Sequence, residues 1–417
     1  LRLMDVDFEA AAKMTLSDLF ARRLAETPDA LAIRSVQGDM TFGQWHERTS
    51  AFRAIFEDQF HDLRGERIAL WMSSDEACNY VAAMQAVYEA GAIVVPLDDR
   101  MAVEEVRRIF ADVEPCLLAL SRIVAERLGA DGFATLGAAA PELPVRPGVE
   151  AFILRVEGDK GTGDPMPWTP GHPAAAVKPS SASPADNAFM AFTSGTTGRP
   201  KAAMWTKATI CQYAERTAHA VYSKPRGGRN LGPDDVLQSP IPIYTGASMF
   251  ENVYPAVFSG CTLVFEGRRF DPKASLQRMA KFGTTVFNAV PPHLAMMCAE
   301  EPVAGASPEI ILTSGSAITS DLYHRVRKRW PNTTVVNWYG LNESGTGQLI
   351  NFGSEMDDNP QSIGRAVWPT EIKVVDPEGE EVAPGAEGEL WMRAPGQLTE
   401  YFRQPDKTAE MLHDGWL

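Results

Sequence analysis

The sequence predicts an α/β protein of two α/β halves, each a mixed, largely parallel sheet sandwiched by helices, followed by a smaller β-rich unit. Three observations predict it. Helical and strand periodicities alternate along most of the chain, which is the pattern of a layered α/β fold. The stretch from Glu157 to Asn187 is rich in Gly, Pro, Ala and Ser and lacks periodicity, so it reads as a loop or boundary. Towards the end, short strands separated by Pro, Glu and Gly turns replace the alternation. The expected division is residues 1–180, 181–350 and 351–417.

Taken in order, the run from Leu16 to Leu24 has the spacing of an amphipathic helix, and Ile68-Ala69-Leu70-Trp71-Met72 is an apolar run of strand length. A second helix runs through Tyr80 to Tyr88, and Phe189-Met190-Ala191-Phe192 is another apolar run. In the last part, Glu371-Ile372-Lys373-Val374-Val375 and Glu389-Leu390-Trp391-Met392 read as short strands.

The nine residues after Phe192, Thr193-Ser194-Gly195-Thr196-Thr197-Gly198-Arg199-Pro200-Lys201, have the composition of a phosphate cradle. Glycines let backbone N–H groups approach an anion, the hydroxyls of Ser194, Thr196 and Thr197 add donors, and Lys201 supplies a positive charge. The spacing is neither that of a Walker loop nor that of the dinucleotide fingerprint. A ligand carrying several phosphates is expected here.

With its Gly-Arg-Pro-Lys ending, this segment resembles the signature loop of the adenylate-forming superfamily. That superfamily includes acyl-CoA synthetases, aryl-CoA ligases, firefly luciferase and the adenylation domains of nonribosomal peptide synthetases. Further segments resemble the family's other motifs in their set order. Ala86 through Asp98 is similar to its early helix, turn and strand, with Gly91 ending the helix, and Ser314-Gly315-Ser316-Ala317 is similar to its adenine-contacting turn. Asn337-Trp338-Tyr339-Gly340-Leu341-Asn342-Glu343 resembles the N-x-Y-G-x-T-E segment. Gly388-Glu389-Leu390, and the run from Tyr401 through Thr408 to Asp414-Gly415-Trp416, resemble the closing elements.

The resemblance implies ATP-dependent conversion of a carboxylic acid to an acyl-adenylate with release of pyrophosphate, then transfer to a thiol, with coenzyme A the expected acceptor: an acid-thiol ligase. It implies that Thr193, Ser194, Gly195, Thr196, Thr197, Gly198 and Lys201 hold the β and γ phosphates and that Glu343 binds magnesium. Tyr339 would stack on adenine, with Gly315, Ser316, Ala317, Asn337, Trp338 and Gly340 around the base. The acyl pocket would draw on Tyr244, Thr245, Asn288 and His293. It also implies a distorted barrel in the last subdomain and a mobile C-terminal domain not in this chain, which stops just short of the family's R-T-G-D segment.

Two departures stand out. Asn342 occupies the place of a threonine whose hydroxyl binds the α-phosphate in the family; its amide can donate instead. Thr245 stands where many acyl-CoA ligases keep histidine. No aspartate sits where amino-acid-activating members anchor the amine, so a hydrophobic acid is expected. Two alternatives stay open: an adenylation-only ligase that passes its product to a carrier protein or a separate thioester-forming enzyme, and an impaired nucleotide-binding relative.

Composition narrows the remaining classes. With 417 residues, 45 % hydrophobic and 22 % charged, the chain can bury a large core. No apolar run approaches a membrane span, and the first residues do not resemble a secretory signal; a cytoplasmic enzyme is expected. A formal net charge of −15 argues against nucleic acid as a partner. The run Arg325, Arg327, Lys328 and Arg329 reads as the solvated face of a helix, with coenzyme A phosphates as the functional alternative. Cysteines at 78, 116, 211, 261 and 298 form no C-x-x-C pair and read as buried thiols. The sequence is silent on oligomeric state beyond the general prevalence of homodimers.

Overall fold

Among the described residues, eighteen strands form two large sheets and one small ladder. The computed structural model describes residues 8–59, 62–128, 151–153, 183–193 and 201–417. In chain order the strands are β1 (Leu31–Ser35), β2 (Gly38–Thr41), β3 (Arg67–Trp71), β4 (Ile93–Leu97), β5 (Leu117–Leu120), β6 (Ala151–Ile153), β7 (Asn187–Thr193), β8 (Lys201–Thr206) and β9 (Val236–Ser239). There follow β10 (Thr262–Phe265), β11 (Val286–Ala289), β12 (Ile310–Thr313), β13 (Thr334–Leu341), β14 (Thr346–Phe352), β15 (Arg365–Ala366), β16 (Glu371–Val375), β17 (Glu389–Arg393) and β18 (Glu400–Tyr401).

The first sheet has seven strands in the order β18-β8-β7-β4-β3-β5-β6, and the second has nine in the order β15-β14-β13-β12-β11-β9-β10-β1-β2. Their centres are parallel, as β4 beside β3 illustrates; both edges of the second sheet and the β8–β18 edge of the first are antiparallel, whereas β6 closes the first sheet's other edge parallel to β5. The fold is α/β with mixed, largely parallel sheets. Continuous apolar runs account for the parallel centres, since a strand covered on both faces has no solvent side to make polar; all five residues of β4 are buried.

Three apolar clusters follow from strand alternation. Ile68 and Leu70 point into the central layer between the sheets, while Ala69 and Trp71 face the outer helix Val103–Val113. Likewise Val286 faces the centre, whereas Phe287 and Ala289 face the helices Pro272–Phe282, Pro291–Ala299 and Ser320–Arg329. The helix Ala77–Glu89 lies in the central layer with every residue buried. It ends at Gly91, whose φ of +78° is one that only glycine adopts freely.

The division expected at residue 180 is crossed by both sheets. β7 and β8 join the first sheet through Val94 and Phe189, and β1 and β2 join the second, where Ile33 pairs with Leu263. The small barrel expected over 351–417 is corrected: among the described residues no closed barrel forms. β15 and β18 spend their hydrogen-bonding edges on the two large sheets, leaving β16 and β17 as a two-stranded ladder, too few strands to close.

Four cysteines are buried and Cys298 is half-buried, all of them free thiols. Among the described residues no helix is long and apolar enough to cross a membrane. The basic run is more than a solvated face. Arg325 donates to the carbonyl of Ala295, Arg327 to that of Thr333 and Arg329 to those of Glu300 and Glu301, satisfying chain ends beside the helix.

Candidate active site

Strands β7 and β8 form an antiparallel hairpin in which Thr193 pairs with Lys201. The loop residues Ser194, Gly195, Thr196, Thr197 and Gly198 lie outside the described residues; the hairpin fixes where that loop leaves and re-enters the sheet. At the re-entry point the Lys201 Nζ sits 5.0 Å from the centre of the Tyr401 ring, a cation over a π face.

Tyr401 joins this lysine to the second sheet's carboxylate. It belongs to β18, paired with Ala203 of β8, and its backbone N–H donates to the Thr408 hydroxyl at 2.9 Å. Its phenol donates to Glu343 Oε1 at 2.7 Å. Burial, then the neighbouring carboxylate, raise the phenol's pKa above its ordinary value and keep it protonated. Lys201 and Glu343, from motifs far apart in sequence, thus meet on one tyrosine.

Glu343 sits in a tight turn after β13. The strand register shifts between Tyr339 and Gly340, a bulge that bends the chain end. Ser344 Oγ then donates to the Leu341 carbonyl at 2.9 Å, and the Gly345 N–H donates to the Asn342 carbonyl at 2.9 Å. A side chain at Gly345 would lie 2.5 Å from the Gly396 carbonyl, so glycine is what lets this turn approach residues 396–398, where the Leu398 N–H donates to the Glu343 carbonyl at 2.8 Å.

Asn342 is half-buried beside the pocket turn: its Oδ1 lies 3.5 Å from where a Gly246 Cβ would be, and Ala191 of β7 borders the same point. Tyr244 is held by Arg100, which donates to its hydroxyl at 3.1 Å while also donating twice to Asp98 at the end of β4. Thr245 caps the next helical turn. Its Oγ1 donates to the Pro242 carbonyl at 2.9 Å and accepts from the Ser248 N–H at 3.1 Å. This hydroxyl is committed to the backbone, so Thr245→Ala is expected to lower stability by about 1 kcal/mol, the usual worth of an N-cap, read from the denaturant midpoint.

The residues assigned around adenine divide. Gly315, Ser316 and Ala317 are exposed at the end of β12, and Gly315 packs on Val290, which is 3.3 Å from its notional Cβ. Tyr339 and Gly340 are half-buried at the end of β13. Asn337 instead uses its Nδ2 to hold the Ser362 carbonyl at 3.0 Å. Trp338 is fully buried and its indole fills the space a side chain at Gly347 would need; it is core. His293 packs against Phe270 with ring centres 4.6 Å apart, on the outer-helix side of the second sheet, away from Asn288, which points to the central layer with Val286. Burial lowers the His293 pKa.

Three residues with a place in the site escaped the sequence reading. Tyr401 stood within a quoted motif but without a role. Glu251 is a lone carboxylate within the apolar stretch Met249 to Phe258, which was the available signal. Arg216, wholly buried, donates to the Gly347 carbonyl, Gln348 and Thr370 and so pins β14, the strand following the Glu343 turn; a basic residue ending a buried helix gave no sign of this.

The β7–β8 hairpin and the Glu343 turn, joined through the Tyr401 phenol and lying beside the Tyr244 turn, stand at the strands' carboxyl ends, where α/β enzymes bind their ligands. The chain belongs to the AMP-binding enzyme family, whose profile matches residues 20–402, within the adenylate-forming superfamily. It is 25 % identical over 410 residues to the indoleacetate–CoA ligase of Aromatoleum aromaticum, covering 97 % of this chain and 74 % of that protein. It is 24 % identical over 402 residues to the dimodular nonribosomal peptide synthase of Bacillus subtilis, covering 95 % of this chain and 15 % of that one. The inhibitor-bound N-terminal domain of FACL13 from Mycobacterium tuberculosis shares the fold, with a TM-score of 0.80 at 21 % identity over 97 % of this chain and 94 % of that one.

Proposed function

We propose that this protein activates a carboxylic acid with ATP to give an acyl-adenylate and pyrophosphate, and then transfers the acyl group to a thiol, coenzyme A being the expected acceptor. The convergence of Lys201 and Glu343 on Tyr401 is the observation that carries this reading. A cation where the segment read as a phosphate cradle re-enters the sheet, with a carboxylate opposite, supports transfer of a nucleotidyl group.

A carboxylate oxygen of the acid attacks the α-phosphorus, a new P–O bond forms, and the bond to the bridging oxygen breaks as pyrophosphate leaves. Charge accumulates on phosphate oxygens, so positioning and electrostatics supply most of the acceleration. Lys201 neutralises the leaving phosphates, and the Asn342 amide can donate to an α-phosphate oxygen. In the second half-reaction the thiol sulfur attacks the acyl carbon and AMP departs with the former carboxylate oxygen.

Magnesium is compatible with the residues present. No cluster of three or more acidic, His or Cys side chains is found among the described residues, and magnesium commonly takes one or two carboxylates, completing its shell with phosphates and water. Glu343 would be that ligand, and the ion would supply neutralisation of phosphate charge. The Tyr401 phenol orients Glu343, so Tyr401→Phe is expected to raise the magnesium needed for half-maximal turnover about 10-fold, in line with the loss of an outer-shell partner.

Acid-dependent exchange of labelled pyrophosphate into ATP tests the reading. Exchange followed by thioester formation with coenzyme A is the expected result; exchange without it favours an adenylating enzyme that serves a carrier protein. Absence of exchange with every acid, while ATP binds, would overturn the activation reading.

A further inference from the structure

The acyl site's neighbourhood contains a buried polar cluster that an unadorned hydrocarbon does not need. Glu251 is 2 % exposed and lies on the π-helical turn Met249–Val253, directly after the pocket turn at Tyr244 to Gly246. Its Oε2 accepts from Asn288 Nδ2 at 2.9 Å and from Ser314 Oγ at 3.3 Å. Asn288 also donates to Asn252 Oδ1 at 2.8 Å, and Asn252 donates to Ser239 Oγ at 3.2 Å. Ser239, Asn288 and Ser314 sit at or just beyond the carboxyl ends of β9, β11 and β12. Three neighbouring parallel strands therefore each deliver a polar side chain to one carboxylate-bearing turn, at the edge where such sheets bind ligands.

Two further observations point to a ligand. Asn288 is fully buried and its Oδ1 has no hydrogen-bond partner among the described residues; a buried acceptor of this kind calls for a donor. The cluster also lies where two π-helical turns meet. Tyr222, which follows the π turn Thr217–Val221, donates its hydroxyl to the Glu251 carbonyl at 2.6 Å, and π turns concentrate at functional sites.

We propose that this cluster is the floor of the acyl pocket, and that the acid activated here carries a hydrogen-bond donor, an amine or a hydroxyl, at the end remote from its carboxylate. The body of the acid is apolar and its far end is not. Asn288 Oδ1 accepts from that group, and the Glu251 carboxylate beneath favours any positive charge it bears. This rests on the acid-activation reading and names the substrate class of the same site.

The test is pyrophosphate exchange by the full chain against matched sets of carboxylic acids with one skeleton and hydrogen, hydroxyl or amine at the distal position. The hydroxyl or amine acid is expected to exceed its bare counterpart in kcat/KM by about 100-fold or more, since sites built to hydrogen-bond a substrate group reject analogues lacking it. Glu251→Gln is expected to shrink that ratio at least about 10-fold while the KM for ATP stays unchanged. Bare acids turned over as well as their polar counterparts would overturn the proposal while leaving acid activation intact. Equal loss for all acids in Glu251→Gln would reduce Glu251 to a structural residue and overturn it too. Should that variant not fold, the wild-type ratio alone decides. Exchange with no acid at all would remove the activation reading, and this inference with it.

Discussion

Lys201→Ala is expected to lower acid-dependent pyrophosphate exchange by about 10²–10³-fold, the usual consequence of deleting one preorganised charge or donor at a transition state. Lys201 is the first residue of β8, and its ammonium is held over the Tyr401 ring rather than left to sample solvent. The lost interaction grows as pyrophosphate departs, so kcat should fall along with kcat/KM. Arg327→Ala serves as the control, because its guanidinium donates to the Thr333 carbonyl at 2.9 Å on a distant helix end. Near-wild-type exchange is expected there; comparable losses in both variants would refute the role given to Lys201.

Glu343→Ala is expected to cost about 10³-fold in exchange, equivalent to roughly 4 kcal/mol of barrier, with a strongly raised magnesium requirement. The rigid turn around Ser344 and Gly345 means that the loss is of the carboxylate and not of the loop. Combining it with Tyr401→Phe separates the two residues: since the phenol acts through the carboxylate, the double variant should be little worse than Glu343→Ala alone. Additive losses would show that Tyr401 contributes independently, through Lys201.

How far these sites could be read from residues differs by kind. Runs such as Ile68 to Trp71 and Ile93 to Leu97 announce buried parallel strands because a strand covered on both faces has no polar alternation, and Gly91 announces a helix end because its backbone angle excludes side chains. Lys201 at the start of β8 and the turn residue Glu343 were nameable from separate motifs, though not their meeting on Tyr401, which depends on a two-residue strand adding to the edge of β8. Orientation was the harder question. Trp338 and Tyr339 are adjacent, and alternation sends one to the core without saying which. His293 and Asn288 likewise lie on opposite sides of one sheet. The expected barrel failed because a short strand's partner is decided by whichever sheet edge it meets, and no local pattern encodes that.

The two large sheets exchange their ends. β1 and β2, among the first strands made, belong to the later sheet, and β18, the last of the described strands, borders the earlier one. During synthesis on the ribosome, Ile33 must therefore wait for Leu263, and the apolar faces of Leu19, Phe20, Phe42 and Trp45 wait with it. Such long-range closure slows folding and leaves a nascent chain with exposed apolar surface. It also means that neither half can be cut free as an independent piece: truncating before β10 strands the opening hairpin, and truncating before β18 removes the tyrosine on which Lys201 and Glu343 meet.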